Sequence, residues 1–202
     1  MLIDLHDTLI RAIQSDGPPS SDYDLNPDVK LPEGRKLRPA AVLVPILDRP
    51  DGARVILTKR SSALKHHPGQ ISFPGGKVEE TDVSCEAAAL REAKEEIGLN
   101  PETANILGLL PPHETVTSFS VTPVIAVVPE FDPTPEAGEV AEVFHVPLAH
   151  LLNTANYRKE GRRWMGQKRW YFTAPYGPYY IWGATARIMH ALADRMDDPN
   201  QA

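Results

Sequence analysis

Three glutamates and an arginine fall within six residues of this 202-residue chain, in the run Arg91-Glu92-Ala93-Lys94-Glu95-Glu96. If the run is helical, about 100° per residue places Glu95 and Glu96 within roughly 60° of Glu92. Like charges at those spacings each cost roughly 0.2–0.5 kcal/mol. A hard divalent cation would remove the cost, and an all-oxygen ligand set without Cys or His suits Mg²⁺ or Mn²⁺. Glu92 and Glu96, one turn apart, can bind one or two ions together, with Glu95 beside them as a further ligand or a general base. Arg91 is placed to grip a carboxylate or a phosphate with both prongs of its guanidinium. Upstream, Gly75-Gly76 permits backbone conformations closed to other residues, so a carbonyl or N–H could approach a metal or phosphate closely. Taken alone, the three glutamates fit a solvated acidic helix face better than a metal site.

These side chains need a helix to hold them. Asp82 or Ser84 can cap its start, Ala87-Ala88-Ala89-Leu90 favours the helical state, and Gly98 suits its end. Leu90 and Ile97 fall on the far side with Val83 beside them, which predicts a core face and a carboxylate face. Upstream, Ala40–Leu47 and Arg54–Lys59 read as apolar strands joined at Arg49-Pro50-Asp51-Gly52 in a hairpin. Ser61–Gln70 is a polar loop leading to the short strand Ile71-Ser72-Phe73. Downstream, Ile106–Leu110, Phe119–Val128 and Glu139–Val146 read as strands. Pro111–Ser118 and Pro129–Gly138 read as loops, Leu148–Leu152 as a short helix. Gly183–Met196 is a closing helix with Ala184, Ile188, Ala191 and Leu192 inward. Arg162–Phe172 is a basic, aromatic hairpin turning near Gly166. Leu2–Gln14 is an amphipathic helix with Leu2, Leu5, Leu9 and Ile13 on one side, and Ser15–Pro39 an extended arm or linker. The expected organisation is an N-terminal helix and arm over 1–37, one domain over 38–196, and a tail over 197–202. The fold class is α/β: a mixed β-sheet between helices, an α/β/α sandwich.

Composition narrows the partners. The chain is 42% hydrophobic, enough for a full core, with a net charge of −6. That balance argues against bulk nucleic acid or an anionic membrane as the main partner, but not against a small anionic substrate met by a local basic patch. The single Cys85 rules out an intrachain disulfide and a cysteine metal cluster, and points to a reducing, cytoplasmic setting. No apolar run approaches the ~20 residues of a membrane span. Asp4 and Asp7 spoil a signal-peptide reading of the N-terminus.

The run Gly76-Lys77-Val78-Glu79-Glu80-Thr81-Asp82, with Arg91-Glu92-Ala93-Lys94-Glu95-Glu96-Ile97-Gly98-Leu99, resembles the Nudix box of the Nudix hydrolases, G-x5-E-x7-R-E-U-x-E-E-x-G-U. Asp82 stands where Glu is usual, Ala93 is small for the apolar position, and the spacing from Asp82 to Arg91 is one residue longer. The longer spacing is similar to the coenzyme A pyrophosphatase subfamily. So is the stretch from Ile56 to Gly76, which matches that subfamily's upstream signature nearly throughout, with Lys65 in place of an arginine. The resemblance covers roughly residues 38 to 195 and implies the Nudix α/β/α sandwich. It also implies metal ligation by Glu92, Glu95, Glu96 and the Gly75 carbonyl, with Arg91 orienting the site.

The activity implied is metal-dependent hydrolysis of the diphosphate of coenzyme A or a derivative, giving adenosine 3′,5′-bisphosphate and 4′-phosphopantetheine. Lys59, Arg60, Lys65, His67 and Gly76 are the candidate substrate contacts. Glu139 and Glu142 are candidates for a further carboxylate. Arg162, Arg163, Lys168 and Arg169 with Trp164 and Trp170 could receive an adenine or a 3′-phosphate. Two other functions remain open: a Nudix hydrolase of ADP-ribose or a dinucleotide, and a catalytically silent nucleotide-binding module. Retention of all three glutamates argues against the silent module. A homodimer through the N-terminal helix and arm is also left open.

Overall fold

The computed structural model describes residues 2–164 and 166–197, except the side chains of residues 2–4, Trp164 and Gln167. The expectations for Leu2, Trp164 and the tail beyond Asp197 lie outside that description. In chain order the elements are α1 (Leu2–Gln14), β1 (Ser20–Ser21), β2 (Arg38–Leu47), β3 (Arg54–Arg60), β4 (Ile71–Ser72), β5 (Gly75–Lys77) and α2 (Cys85–Ile97). Then follow β6 (Asn105–Leu109), β7 (His113–Glu114), β8 (Phe119–Val128), β9 (Val140–Pro147), α3 (Leu148–Leu152), β10 (Arg158–Trp164), β11 (Gln167–Thr173) and α4 (Ala184–Met196).

A nine-stranded mixed sheet forms the centre, with β10 and β11 as a separate two-stranded ribbon. β2 lies parallel to β8 over ten register positions, from Arg38 opposite Phe119 to Leu47 opposite Val128. The expected β2–β3 hairpin is real but short: only Ile46–Val55 and Leu47–Arg54 pair. Beyond that the strands part, β2 toward β8 and β5, β3 toward β4 and β9. Alternate residues of the central strands point into two separate cores. Val44, Ile46, Val55, Leu57 and Ile125 join buried residues of α1, α3 and α4, whereas Leu43, Ile56, Val124 and Ala126 join Ala88, Ala89, Ala93 and Ile97 of α2. Burial on both faces explains why these strands read as almost continuous apolar runs. In α4, Ile188 and Leu192 point inward as expected. Ala184 and Ala191 are only half-buried, and Thr185, Met189 and Ala193 are buried instead.

The N-terminal segment is tied into this frame. Leu9 and Ala12 of α1 are fully buried. β1 pairs in parallel with β7, inside the stretch expected to be loop. Ser20 Oγ and His113 Nδ1 are 2.9 Å apart, and His113 Nε2 lies 3.1 Å from Asp22 Oδ1. Asn26 donates to the Trp170 carbonyl and accepts from the Trp170 N–H, each at 2.8 Å. Read locally, Ser20, Asp22 and Asn26 look like linker residues; their partners lie more than 90 positions away.

Candidate active site

β5 and α2 build the site together. β5 runs antiparallel to the start of β2, with Gly75 opposite Val42 and Gly76 opposite Ala41. Gly75 adopts φ +155°, and a Cβ there would stand 2.5 Å from the Ala41 carbonyl oxygen. At Gly76 a Cβ would stand 2.3 Å from a carboxylate oxygen of Glu92. The two glycines therefore do different things: one lets the backbone lie against β2, the other leaves room for Glu92. Ser84, not Asp82, caps α2, accepting from the Ala87 N–H at 3.2 Å, and Gly98 closes it at φ +72°. Val83 precedes the helix and is 93% exposed, which corrects its expected place beside the core face. The carboxylate face is also not simply outward. Glu96 is buried, and its carboxylate accepts from the Gly75 N–H at 3.3 Å.

Arg91 organises the charges. Its guanidinium donates to both oxygens of Asp82 at 2.9 and 3.0 Å, and to the Lys77 carbonyl at 3.1 Å. The third nitrogen donates to Glu92 at 3.1 Å and Glu95 at 3.3 Å. The Arg91 guanidinium holds the Asp82 carboxyl below the usual carboxylate range. Burial pushes Glu92 up, reinforced by the charges of Glu95 and Glu139. Burial pushes Glu96 up to about 7, with Glu92 adding to the rise while the Gly75 N–H and Arg60 oppose it. Glu95 is the most exposed of the three, with 58% of its side chain open.

Among the described residues, no three Asp, Glu, His or Cys side chains are gathered into a ready metal cage. Arg91, bonded to both Glu92 and Glu95, takes oxygens such a cage would use. The donor chemistry nevertheless fits a hard divalent cation: the groups are all oxygen, and burial, with neighbouring carboxylates adding to it, lifts Glu92 and Glu96.

The signature residues separate. Strand alternation sends Arg60 toward Glu96, which feels its charge, whereas Lys59 stands opposite Glu142 on the other face. This corrects the expectation that Lys59 and Arg60 act as one cluster. Lys65 and His67 lie exposed on a loop closed by bonds from the Gly69 N–H to the Arg60 carbonyl and from the Gln70 N–H to the His67 carbonyl. Of the further carboxylates, Glu139 adds to the potential at Glu92 and Glu96, and its carbonyl accepts from the Ser61 N–H. Glu142 is engaged elsewhere, accepting from the Tyr179 hydroxyl. Sequence reasoning missed Tyr179, because its ring packs on Phe144 from 35 positions away. A cleft of about 740 Å³ lies apart from this site, lined by residues including Leu5, Pro50, Arg54, Leu148 and Leu152 and none of α2.

The NUDIX domain model matches residues 37–167. The chain belongs to the Nudix family. Among curated relatives, the uncharacterized Nudix hydrolase NudL of Cronobacter sakazakii is 44% identical over 157 residues, covering 77% of this chain and 81% of the relative. NudL of Klebsiella pneumoniae strain 342 is 40% identical over 185 residues, covering 86% of this chain and 96% of the relative. Among solved structures, the Nudix hydrolase RenU of M. smegmatis is 25% identical with a TM-score of 0.46, covering 57% of this chain and 73% of that one. Nudix hydrolases act on small nucleotide substrates and generally use divalent ions such as Mg²⁺ or Mn²⁺. No helix among the described residues is long and apolar enough to cross a membrane.

Proposed function

We propose that this Nudix hydrolase cleaves the diphosphate of coenzyme A or one of its derivatives, releasing adenosine 3′,5′-bisphosphate and 4′-phosphopantetheine. The stretch from Ile56 to Gly76 carries the reading. Its likeness to the coenzyme A pyrophosphatase signature falls on the strand that brings Arg60 to Glu96 and on the turn that lays two glycines against Glu92 and Glu96.

Glu92, Glu95, Glu96 and the Gly75 carbonyl would hold the divalent ion, which neutralises diphosphate charge and lowers the pKa of a bound water. Arg91 is a positioning residue: anchored by Asp82 and the Lys77 carbonyl, it fixes where Glu92 and Glu95 sit. Arg60 places positive charge beside Glu96, where a phosphate would otherwise meet only carboxylates. Water attacks phosphorus, the bridging P–O bond breaks toward the leaving phosphate, and the proton released goes to Glu95, the most open carboxylate.

A substrate panel with product identification tests the assignment. With Mg²⁺ or Mn²⁺, coenzyme A gives a higher kcat/KM than ADP-ribose or dinucleoside polyphosphates. Preference for ADP-ribose overturns it. Glu95→Gln abolishes turnover with little change in thermal stability; unchanged hydrolysis by the pure variant removes Glu95 from the chemistry.

A further inference from the structure

The β10–β11 ribbon carries Arg158, Lys159, Arg162, Arg163, Lys168 and Arg169 against a single acid, Glu160, in a chain of net charge −6. Its register sets Arg162 opposite Arg169 and Arg163 opposite Lys168. Like charges directly opposite repel. The ribbon offers them no relief: Glu160 accepts from the Tyr180 hydroxyl at 2.7 Å and the Thr173 hydroxyl at 3.2 Å. Among the described residues, none of the six cations is in an ion pair. A conflict of this kind, kept in an otherwise consistent fold, points to a ligand that resolves it.

One face gathers three of these cations beside a ring. Alternation places Lys159, Arg163 and Lys168 on the side of Trp170. Opposite Trp170 stands Gly161, where a Cβ would come within 2.6 Å of Lys168 Cε and 3.0 Å of the indole. The bare glycine lets the ring and the lysine stem lie across the ribbon. Lys168 Nζ sits 3.9 Å, and Lys159 Nζ 5.5 Å, from the ring centroid. Cation–π attraction thus holds two ammonium groups round one ring and limits the room to stack a base on it. Several fixed cations without an acid among them suit a phosphomonoester, which carries about two negative charges.

We propose that Lys159, Arg163 and Lys168, gathered round Trp170, bind a phosphomonoester, and that in the working enzyme it is the 3′-phosphate of the nucleotide substrate. The second clause rests on the proposed function. The ribbon's opposite face is tied to β9 through neighbours: Tyr180 donates to Glu160, and Tyr179 beside it donates to Glu142.

Calorimetric titration of the full chain, without divalent metal, uses coenzyme A, dephospho-coenzyme A and inorganic phosphate as probes. The wild type binds coenzyme A at least about tenfold more tightly than dephospho-coenzyme A, the range expected for one charge-assisted contact. Lys159→Ala/Lys168→Ala loses that margin. Arg163→Ala gives the same loss in milder form and serves if the double variant unfolds. With coenzyme A as substrate the double variant raises KM about tenfold at unchanged kcat, while dephospho-coenzyme A is hydrolysed as by the wild type. A margin that survives in the variants, or equal wild-type affinity for coenzyme A and dephospho-coenzyme A with no binding of inorganic phosphate, overturns the site. Binding of inorganic phosphate that the variants lose, with equal affinity for coenzyme A and dephospho-coenzyme A, overturns its assignment to the substrate. If the margin behaves as expected but coenzyme A is not hydrolysed, the proposed function fails and the phosphate site stands.

Discussion

On α2 the fold answers crowded charge from within; on the β10–β11 ribbon it does not. Glu92, Glu95 and Glu96 meet the Arg91 guanidinium, the Gly75 N–H and the field of Arg60, and what those leave uncompensated raises Glu92 and Glu96. Lys159 and Lys168 sit over Trp170, Arg163 stands opposite Lys168, and among the described residues none of the three is in an ion pair. Burial makes the difference. The carboxylates are partly withdrawn from water, where an unanswered charge is costly, so the surrounding residues must supply partners. The ribbon stays in solvent, which screens repulsion enough for unmatched cations to persist until a ligand arrives.

The comparison breaks most severely at the acidic helix. Glu92→Gln removes one of two raised carboxylates, and kcat in Mg²⁺ falls by more than the roughly 10–100-fold typical of an outer-shell partner. A fall of less than tenfold would take Glu92 out of the metal set.

The glycine pair sharpens the point. Gly75→Ala forces a Cβ onto the β2 backbone at φ +155° and destabilises the protein by about 2–4 kcal/mol in urea melts. Gly76→Ala meets only the end of a movable side chain. It changes stability by less than about 1 kcal/mol yet lowers activity, because Glu92 must move aside. Equal stability losses at both positions would contradict this division of roles.

The pH dependence of metal-free protein has a defined sign. Glu96 rises from an ordinary 4.5 to about 7 on folding, so the folded state holds its proton more tightly than the unfolded chain. The stability this group contributes is complete below pH ~4.5 and is lost as pH rises through ~7, a change of at most about 3 kcal/mol. Urea melts in a chelator show that decline, and Glu96→Gln flattens it; a slope unaltered in the variant would show that another group sets it.

The smallest effect belongs to the ribbon. Arg163→Glu, facing Lys168, stabilises the ligand-free protein by about 0.2–1 kcal/mol at low salt, and the gain fades in 1 M salt. Thermal melts at two ionic strengths test it, and a destabilised variant would mean the cations are not in conflict.

Local patterns made much of this protein readable. The helical spacing of Glu92, Glu95 and Glu96, the Gly98 stop and the apolar strands were legible because each depends on neighbours a few residues away. The division of Lys59 from Arg60 was less so, since it depends on which side of the sheet each alternate residue meets. Tyr179 on Glu142, and Asn26 on the Trp170 backbone, carried no local signal at all.

By itself the amino-acid order determined the acidic helix, the double-glycine turn and the two-sided sheet, because period and backbone freedom are properties of short segments. Only the tertiary structure decided that Glu96 is buried rather than solvated, that Arg91 is anchored by Asp82, and that the N-terminal segment is bound to both sheets. Burial and long-range polar pairing arise when distant segments exclude water together, and no window of a few residues contains that information.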